Sequence, residues 1–447
     1  MNRLFIALIL VCILMPVAAA QDTLWTRTYG GTQADIGRRI RCTSDGGFIV
    51  VGDTYSFGAG ERDLLLYKMD ANGDSVWSKV YGGAFNEIGL WVEETSDGGY
   101  IVSGRTETWG QSPINIWIMK TDGQGDSLWS KVYWKGDHYN FGSAICQFDD
   151  SSYIAACGQG PYSTLDLWLL KLNLYGDTLW TVNYNPSGWW DEPYSMYKTA
   201  ESDIIIGGLG FSMSLSWQGL IMKIDSTGSP IWTKFYGGNE DDRIYDVKQT
   251  MDGGYIAAGY TTSFGAGDKD AWVLRMDSNG DTLWSKTYGG SAADMGQEIF
   301  ETYDGGFLLA GYTNSFGAGE NDVWILNLDS SGDSLWTQTF GGTANDYALA
   351  LDNTDKNEPV VVGHTESYGI GESDIYLLKL RADYCLECYT TNFTPRIRSG
   401  GGTLIWDLTV KNCGNKTVAV YGEIYPTIGD CVTGYQFDLD LTRQITP

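Results

Sequence analysis

The residue types that most often carry enzyme chemistry are scarce in this sequence. Histidine occurs only twice, as His138 and His364, far apart in the chain. A Ser/His/Asp triad or a multi-histidine metal site therefore has little to draw on, and each histidine is interpreted as an exposed loop residue. A sialidase-like site needs several converging arginines, whereas the arginines cluster only in the segment 38–41. We assign no catalytic residue from the sequence.

Acidic residues recur at two positions of a repeated pattern. The two sets are Asp35, Glu87, Asp242, Asp294 and Asp346, and Asp63, Asp270, Asp322 and Asp374. Carboxylate oxygens suit Ca²⁺, and Asp294 with Asp322 is the pair considered for it. Alternatively, each carboxylate caps the amides of the turn before its strand, and the pattern favours this role. No cofactor is expected, with Ca²⁺ as the one candidate.

Aromatic residues mark the place where the pattern breaks down, in its third and fourth copies. The candidate ligand-binding residues there are Trp134, His138, Tyr139, Trp189, Trp190 and Trp217. Exposed aromatic rings flanked by polar groups suit stacking against sugar rings, and a clustered patch also suits a protein partner. The alternative, which the pattern favours, is that these rings fill the space left by missing Gly-Gly loops.

A repeat of 51 or 52 residues organises the chain. The motif [DS]-x-[LVI]-W-[TS] recurs around seven tryptophans, which are Trp25, Trp77, Trp129, Trp180, Trp232, Trp284 and Trp336. Each unit contains four short strands bounded by Gly, Asp and Asn, as Asp281–Tyr288, Met295–Thr302, Phe307–Tyr312 and Asp322–Leu328 show. Such a repeat predicts antiparallel four-stranded sheets.

Several of these strands are apolar along almost their whole length and need cover on both faces. Sheets packed side by side around an axis provide that cover, so the sequence predicts an all-β, seven-bladed β-propeller, with a linear solenoid as the alternative. The chain opens with a tryptophan strand, Leu24–Tyr29, and the last repeat lacks one. We expect Leu24–Tyr29 to pair with Ile375–Leu380 and close the ring.

The run Asp277–Trp284 (DSNGDTLW) resembles the tryptophan-docking motif of quinoprotein-type β-propellers. Runs such as DGGYI and SFGAG are similar to those of secreted bacterial repeat propellers of the quinoprotein-like and kelch-like superfamily. The resemblance covers Asp22 to about Arg381. It implies that each tryptophan wedges between neighbouring blades, and that an enzymatic member would carry cofactor ligands interrupting the repeat in the central pore. The better-kept repeats are too uniform to suggest such a site.

The N-terminus is typical of an export signal, with Arg3, the apolar run Leu4–Met15 and three alanines at 18–20. We therefore expect a signal peptide at 1–20 and a propeller at 21–381, in a chain secreted to the outside or the surface of a bacterium. The formal net charge of −27 argues against nucleic acid and anionic membranes as partners. No membrane insertion is expected after signal cleavage, and a monomer is expected.

Residues 382–447 leave the repeat and alternate like strands, as in Thr403–Val410 and Thr417–Ile424. They resemble the first part of an immunoglobulin-like sandwich of bacterial surface proteins, which suggests that the chain is a fragment. Four cysteines of this segment, Cys385, Cys388, Cys413 and Cys431, favour two disulfides over a zinc site in an exported chain. Cys146 and Cys157 are candidates for a cross-strand disulfide, and Cys42 is expected to be unpaired.

Together these features predict a non-catalytic extracellular or cell-surface propeller that serves as a binding module or scaffold. Glycan or protein would bind through the aromatic loops of repeats three and four. The first alternative is a purely structural spacer of the cell envelope. The second is a quinoprotein-like or glycan-cleaving enzyme.

Overall fold

A computed structural model describes residues 23–136, 139–161, 163–212 and 216–381, together with four strands beyond residue 381. The chain divides into two compact units, Met1–Asp383 and Tyr384–Pro447. The expected signal peptide lies outside the described residues. None of the described residues belongs to a helix that could span a bilayer.

The first unit is a seven-bladed β-propeller whose blades are four-stranded antiparallel sheets, as the repeat predicts. The first strand of the described residues is β1 (Thr23–Tyr29). Blade 1 consists of β2 (Asp35–Cys42), β3 (Phe48–Thr54), β4 (Asp63–Met69) and β5 (Ser75–Tyr81). Blade 2 consists of β6 (Glu87–Glu94), β7 (Tyr100–Thr106), β8 (Asn115–Thr121) and β9 (Ser127–Tyr133). Blade 3 consists of β10 (Tyr139–Asp149), β11 (Ser152–Gly160), β12 (Asp166–Asn173) and β13 (Thr178–Tyr184).

Blades 4 to 7 complete the ring. Blade 4 consists of β14 (Trp190–Lys198), β15 (Ile204–Ser212), β16 (Ser216–Ile224) and β17 (Pro230–Tyr236), and blade 5 of β18 (Asp242–Gln249), β19 (Tyr255–Thr261), β20 (Asp270–Met276) and β21 (Thr282–Tyr288). Blade 6 consists of β22 (Asp294–Glu301), β23 (Phe307–Thr313), β24 (Asp322–Leu328) and β25 (Ser334–Phe340). Blade 7 consists of β26 (Asp346–Asn353), β27 (Pro359–Thr365) and β28 (Asp374–Leu380), with β1 as its outer strand.

Burial follows the order of strands within a blade. In blade 1 every residue of β3 and β4 is buried, whereas the outer strand β5 is exposed or half-buried throughout. The middle strands are continuously apolar because neighbouring blades cover both of their faces. The first strand of each blade lies innermost, where Arg39 of β2 reaches Glu298 of β22 across the central channel.

The ring is closed by the first strand of the chain, as predicted. Strand β1 pairs antiparallel with β28, from Thr23 opposite Leu380 to Tyr29 opposite Ile375. Blade 7 therefore combines strands from both ends of the repeat region. Because β1 and β28 pair with each other, the edge of each strand that faces the other has backbone hydrogen-bond partners.

The repeated tryptophans connect each blade to the next. The Trp25 indole of blade 7 lies over the turn of blade 1 that contains Gly73, and a Cβ at Gly73 would sit 3.0 Å from the ring. Gly73 has φ +78°, a left-handed conformation that glycine adopts without strain. The same contact joins Trp77, Trp129, Trp180, Trp232 and Trp284 to the turn glycines Gly125, Gly176, Gly228, Gly280 and Gly332. For Trp336 the neighbouring pair is β28 and β1, which no hairpin turn joins.

The second unit contains one antiparallel sheet. Strand β31 (Leu404–Asn412) pairs along its length with β32 (Thr417–Ile424), and its other edge pairs with the short strands β29 (Leu386–Glu387) and β30 (Arg396–Ile397). The two long strands agree with the segments expected from the sequence. The four cysteines proposed to form disulfides here lie outside the described residues, and the immunoglobulin-like assignment stays a prediction.

Candidate functional site

The channel mouth is lined by the one layer of the propeller in which the blades differ most. In each blade, a residue near the start of the innermost strand faces a residue near the end of the next strand, which follows a glycine in every blade except blade 3, where Gly158 follows Cys157. The seven cross-strand pairs are Ile36–Asp53, Ile88–Arg105, Phe141–Gly158, Glu192–Leu209, Arg243–Tyr260, Met295–Tyr312 and Tyr347–His364. Charged and aromatic side chains therefore share a ring of otherwise equivalent positions.

A tryptophan cleft opens beside this layer in blade 4. Strands β15 and β16 have nine residues each, against seven in β3 and β4, so their hairpin is longer than that of blade 1. The register places Trp190 opposite Phe211, and Phe211 opposite Trp217. These three aromatic side chains consequently share one face across three adjacent strands.

The aromatic rings of the tryptophan cleft are in mutual contact. The Trp190 and Trp217 centroids are 6.0 Å apart in an edge-to-face arrangement, and Phe211 lies 4.8 Å from Trp217. The cleft has a volume of about 470 Å³ and is also lined by Ser163, Trp189, Glu192, Leu209 and Arg243. This volume falls in the range of small-molecule sites.

One carboxyl group and one guanidinium group face the cleft. Glu192 Oε2 accepts a hydrogen bond from Trp190 Nε1 at 3.3 Å and another from the Tyr194 hydroxyl at 3.5 Å. Burial raises the pKa of Glu192. Arg243 lies 5.6 Å over the Trp217 ring and is held by an ion pair with Asp241 at 3.1 Å. The cleft thus combines aromatic walls with a hydrogen-bond donor, the Arg243 guanidinium, and a hydrogen-bond acceptor, the Glu192 carboxyl group.

The structure brings together only part of the aromatic set proposed from the sequence. Trp189, Trp190 and Trp217 line the cleft. Trp134 is 42 % exposed but is not among the lining residues, and Tyr139 stacks on Phe141 with centroids 6.1 Å apart. Trp217 was expected in a loop, whereas it belongs to strand β16. His138 lies outside the described residues.

The second histidine was wrongly expected in an exposed loop. His364 lies within β27 and stacks on Tyr347, with ring centroids 4.6 Å apart. Burial, together with the positive charge of Arg38, lowers the pKa of His364 to about 4. This imidazole is therefore neutral at physiological pH.

Three arginines from blades 1 and 2 form an arginine cluster at the same mouth. Arg38 and Arg62 each donate a hydrogen bond from Nε to the buried carboxylate of Asp53. Arg105 lies nearby and carries a buried Nε for which the structure provides no hydrogen-bond partner. Burial and the neighbouring charges of Arg62 and Arg38 lower the pKa of Arg105.

The two remaining arginines of the sequence segment 38–41 lie deeper in the channel. Arg39 stacks 3.6 Å above the Trp91 ring and approaches Glu298 at 3.0 Å, while Arg41 approaches the same carboxylate at 3.3 Å. Lys248 contacts Glu298 at 2.9 Å and Asp246 at 3.5 Å. These charges join blades 1, 5 and 6 across the axis, and we call the five groups Arg39, Arg41, Asp246, Lys248 and Glu298 the channel plug.

The recurrent carboxylates are used inside the turns of their blades. Asp294 accepts hydrogen bonds from Gly290 N and the Ser315 hydroxyl, both at 2.7 Å. Asp322 accepts from Ala318 N and Gly319 N, both at 2.9 Å. This is the arrangement that the capping alternative describes, and β23 lies between the two residues proposed for Ca²⁺. Among the described residues, no group of three or more His, Cys, Asp or Glu side chains is arranged to hold a metal ion.

The expected position of a cross-strand disulfide was wrong. Cys146 pairs with Ile154, and Cys157 pairs with Gly142, so the two cysteines are not opposite each other. The hairpin register explains the error, because the turn lies between the paired residues Asp149 and Ser152 and the register shifts twice along the strands, which offsets the two cysteines. Cys42 is a free thiol, as expected.

Solved structures share the architecture of this chain. The Pan2 WD40 domain of Neurospora crassa has a TM-score of 0.48 at 11% identity, covering 80% of this chain and 95% of that domain. Puromycin hydrolase, as an S511A mutant complexed with PGG, has a TM-score of 0.50 at 10% identity, covering 85% of this chain and 59% of the hydrolase. An α-L-arabinofuranosidase from Fusarium graminearum has a TM-score of 0.43 at 12% identity, covering 66% and 93% of the two chains.

What is shared is the β-propeller fold alone. No protein-family model matches the chain, and no curated protein shows significant sequence similarity to it. At 10 to 12% identity, these structures carry no argument about what this chain binds or catalyses. The function has to be argued from the channel mouth itself.

Proposed function

We propose that this protein is a non-catalytic binding propeller, exported to the outside or the surface of a bacterial cell, and that its tryptophan cleft binds a sugar ring of a glycan. The row Trp190, Phe211 and Trp217 is the observation that carries this proposal. Aromatic faces held at fixed angles offer a large rigid contact area at a low entropic cost. The apolar face of a pyranose ring is complementary to such a surface.

The polar groups of the cleft support the same ligand class. Glu192 accepts hydrogen bonds from within the cleft, and Arg243 supplies donors beside the Trp217 ring. Sugar hydroxyls act as donors and acceptors at once, so they complement one carboxyl group and one guanidinium group. Orientation by a few polar groups within aromatic walls is typical of small-molecule sites.

The proposal is tested with a glycan array followed by isothermal titration calorimetry on the glycans that bind. We expect Trp217→Ala and Trp190→Ala to weaken binding at least tenfold. Trp134→Ala is the control, because Trp134 is an exposed tryptophan that does not line the cleft. It should bind like the wild type.

Three outcomes would contradict the proposal. Equal binding by all variants would mean that the ligand does not bind in the cleft. Loss of binding only in Trp134→Ala would move it to a different surface. Absence of binding to any glycan, with a purified protein ligand bound instead or with no ligand at all, would favour a protein-binding or spacer role.

A further inference from the structure

The arginine cluster is unusual for this chain because it concentrates positive charge in a strongly acidic protein. Arg38 and Arg62 both pair with the single carboxylate of Asp53, and the charges of these two arginines act on Arg105, whereas the chain carries a formal net charge of −27. The acidic groups that act on Arg105 are Glu107, Asp53 and Glu192. Asp53 accepts hydrogen bonds from Arg38 and Arg62, whereas the Nε of Arg105 has no hydrogen-bond partner among the described residues.

Arg105 is the member of the cluster with capacity to bind. Its Nε is buried and has no hydrogen-bond partner among the described residues. Its guanidinium lies 5.7 Å from the centroid of the Phe141 ring of the next blade. A buried donor without an acceptor is costly, and an anionic acceptor would relieve both this cost and the repulsion from Arg38 and Arg62.

The cluster and the tryptophan cleft belong to the same mouth. Arg105 of blade 2 and Glu192 of blade 4 occupy the same layer of cross-strand pairs, with Phe141 of blade 3 between them. Arg105 also acts electrostatically on the Glu192 carboxyl group.

We propose that the arginine cluster binds the carboxylate of an acidic sugar, so that the preferred ligand is a uronic-acid-containing oligosaccharide. This inference rests on the proposed function of the tryptophan cleft and names the class of its ligand. Arg105 forms the new hydrogen bonds, while Arg38 and Arg62 supply the surrounding positive charge. A planar guanidinium matches the two oxygens of a carboxylate.

The test compares a panel of uronic-acid oligosaccharides with their carboxyl-reduced, neutral counterparts by titration calorimetry. We expect the wild type to bind the best acidic member at least tenfold more tightly than its neutral counterpart, and this preference should shrink as salt is raised. Arg105→Gln should reduce the affinity for the acidic sugar to that for the neutral one. Arg27→Gln is the control, since Arg27 is an exposed arginine paired with Asp74 on the outer strand.

The outcomes separate the two proposals. Equal binding of acidic and neutral sugars, sensitive to Trp217→Ala but not to Arg105→Gln, would overturn this inference and leave the proposed function standing. If binding of the acidic sugar depends on Arg105 but not on Trp217, the proposed sugar-binding role of the tryptophan cleft is wrong, and the proposed role of the arginine cluster stands. Failure of the wild type to bind any member of the panel would overturn this inference, and the glycan array decides the cleft separately.

Discussion

Trp25 and Phe48 pack edge-to-face with ring centroids 5.9 Å apart, although Trp25 belongs to the last blade and Phe48 to the first. The pair Trp284 and Phe307 repeats this geometry at 5.8 Å between two ordinary neighbouring blades. The junction that closes the ring therefore has the same packing as a junction within it. Closure is achieved without a specialised interface.

Trp25→Ala should lower the free energy of unfolding by about 3 kcal/mol, the lower end for truncation of a large aromatic side chain, because the indole is only partly buried. Leu24→Ala removes an exposed neighbour on the same strand and should change stability by less than about 0.5 kcal/mol. Urea denaturation of both variants measures the difference. Similar stabilities for the two would mean that the closing contact carries little of the fold.

Glu298→Gln should be among the most damaging single changes in the propeller. Arg39, Lys248 and Arg41 lower the pKa of this buried carboxyl group to about 2, and they would lose the negative charge they share. Breaking a buried charge network in this way costs about 3–5 kcal/mol. Asp333→Asn, which breaks the exposed ion pair with Lys286, should cost less than about 1 kcal/mol.

Thermal or urea unfolding at pH 7 compares these two variants. Because the channel plug joins blades 1, 5 and 6, the Glu298 variant should also show a less cooperative transition than the wild type. Equal stability losses in the two variants would show that the buried network is no more important than a surface ion pair.

Asp191 should make the protein less stable as the pH rises from about 4 to about 7. Burial raises the pKa of this carboxyl group from 3.8 to about 7, against the opposing hydrogen bonds from Ser187. In that window the folded state retains a proton that the unfolded chain has lost, so ionisation favours unfolding, and the loss is complete above pH 7.

Asp191→Asn tests this directly. Its stability should fall less than that of the wild type between pH 4 and pH 7, by on the order of 3 kcal/mol. Denaturation curves collected at half-unit intervals of pH give the comparison. Parallel curves for the two proteins would show that Asp191 does not titrate with a raised pKa.

His364 should act in the opposite direction. Because burial lowers its pKa from 6.5 to about 4, the folded state holds the imidazole neutral while the unfolded chain takes up a proton below pH 6.5. The contribution is fully present above pH 6.5 and is lost as the pH falls toward 4. His364→Gln should therefore remove about 3 kcal/mol of acid destabilisation, since the pKa falls from 6.5 to about 4 and each pKa unit corresponds to about 1.4 kcal/mol. An NMR titration that placed the wild-type imidazole near pH 6.5 would contradict this.

Removal of calcium should leave the melting temperature unchanged. The carboxylates of Asp294 and Asp322 already accept hydrogen bonds from turn amides and hydroxyls, so they have no need of a cation. Scanning calorimetry with excess EGTA and with added CaCl₂ provides the measurement. A melting temperature that rises with CaCl₂ and falls with EGTA would reinstate a calcium site.

The ring was predictable because its determinants are repeated. Spacing of the tryptophans specifies the blade, and the spare strand Leu24–Tyr29 specifies the closure. The predicted strand Asp322–Leu328 matches β24 in both bounds. The other three predicted strands of that unit differ from β21, β22 and β23 by no more than one residue at each end. Because the same pattern of strands and turns recurs in seven repeats, the prediction for one repeat is supported by the other six.

The site was less predictable because it occupies the positions that the repeat leaves variable. Arg105 and His364 each lie between a repeated glycine and a repeated threonine, where a single residue differs from blade to blade. Reading that column across the repeats would have identified them, and the corresponding column on the inner strand would have identified Glu192 and Arg243. The prediction instead followed exposed aromatics, which found Trp190 and Trp217 but also included Trp134.

Pairing of Thr23 with Leu380 has a consequence for how the chain can be rewired. The polypeptide enters and leaves the ring through adjacent residues of one blade, so a short linker could join these two points without distorting either strand. New ends could then be opened in an outer turn of another blade, such as the one containing Gly280. A circularly permuted propeller made in this way would keep every pairing of the ring while moving its seam away from blade 7.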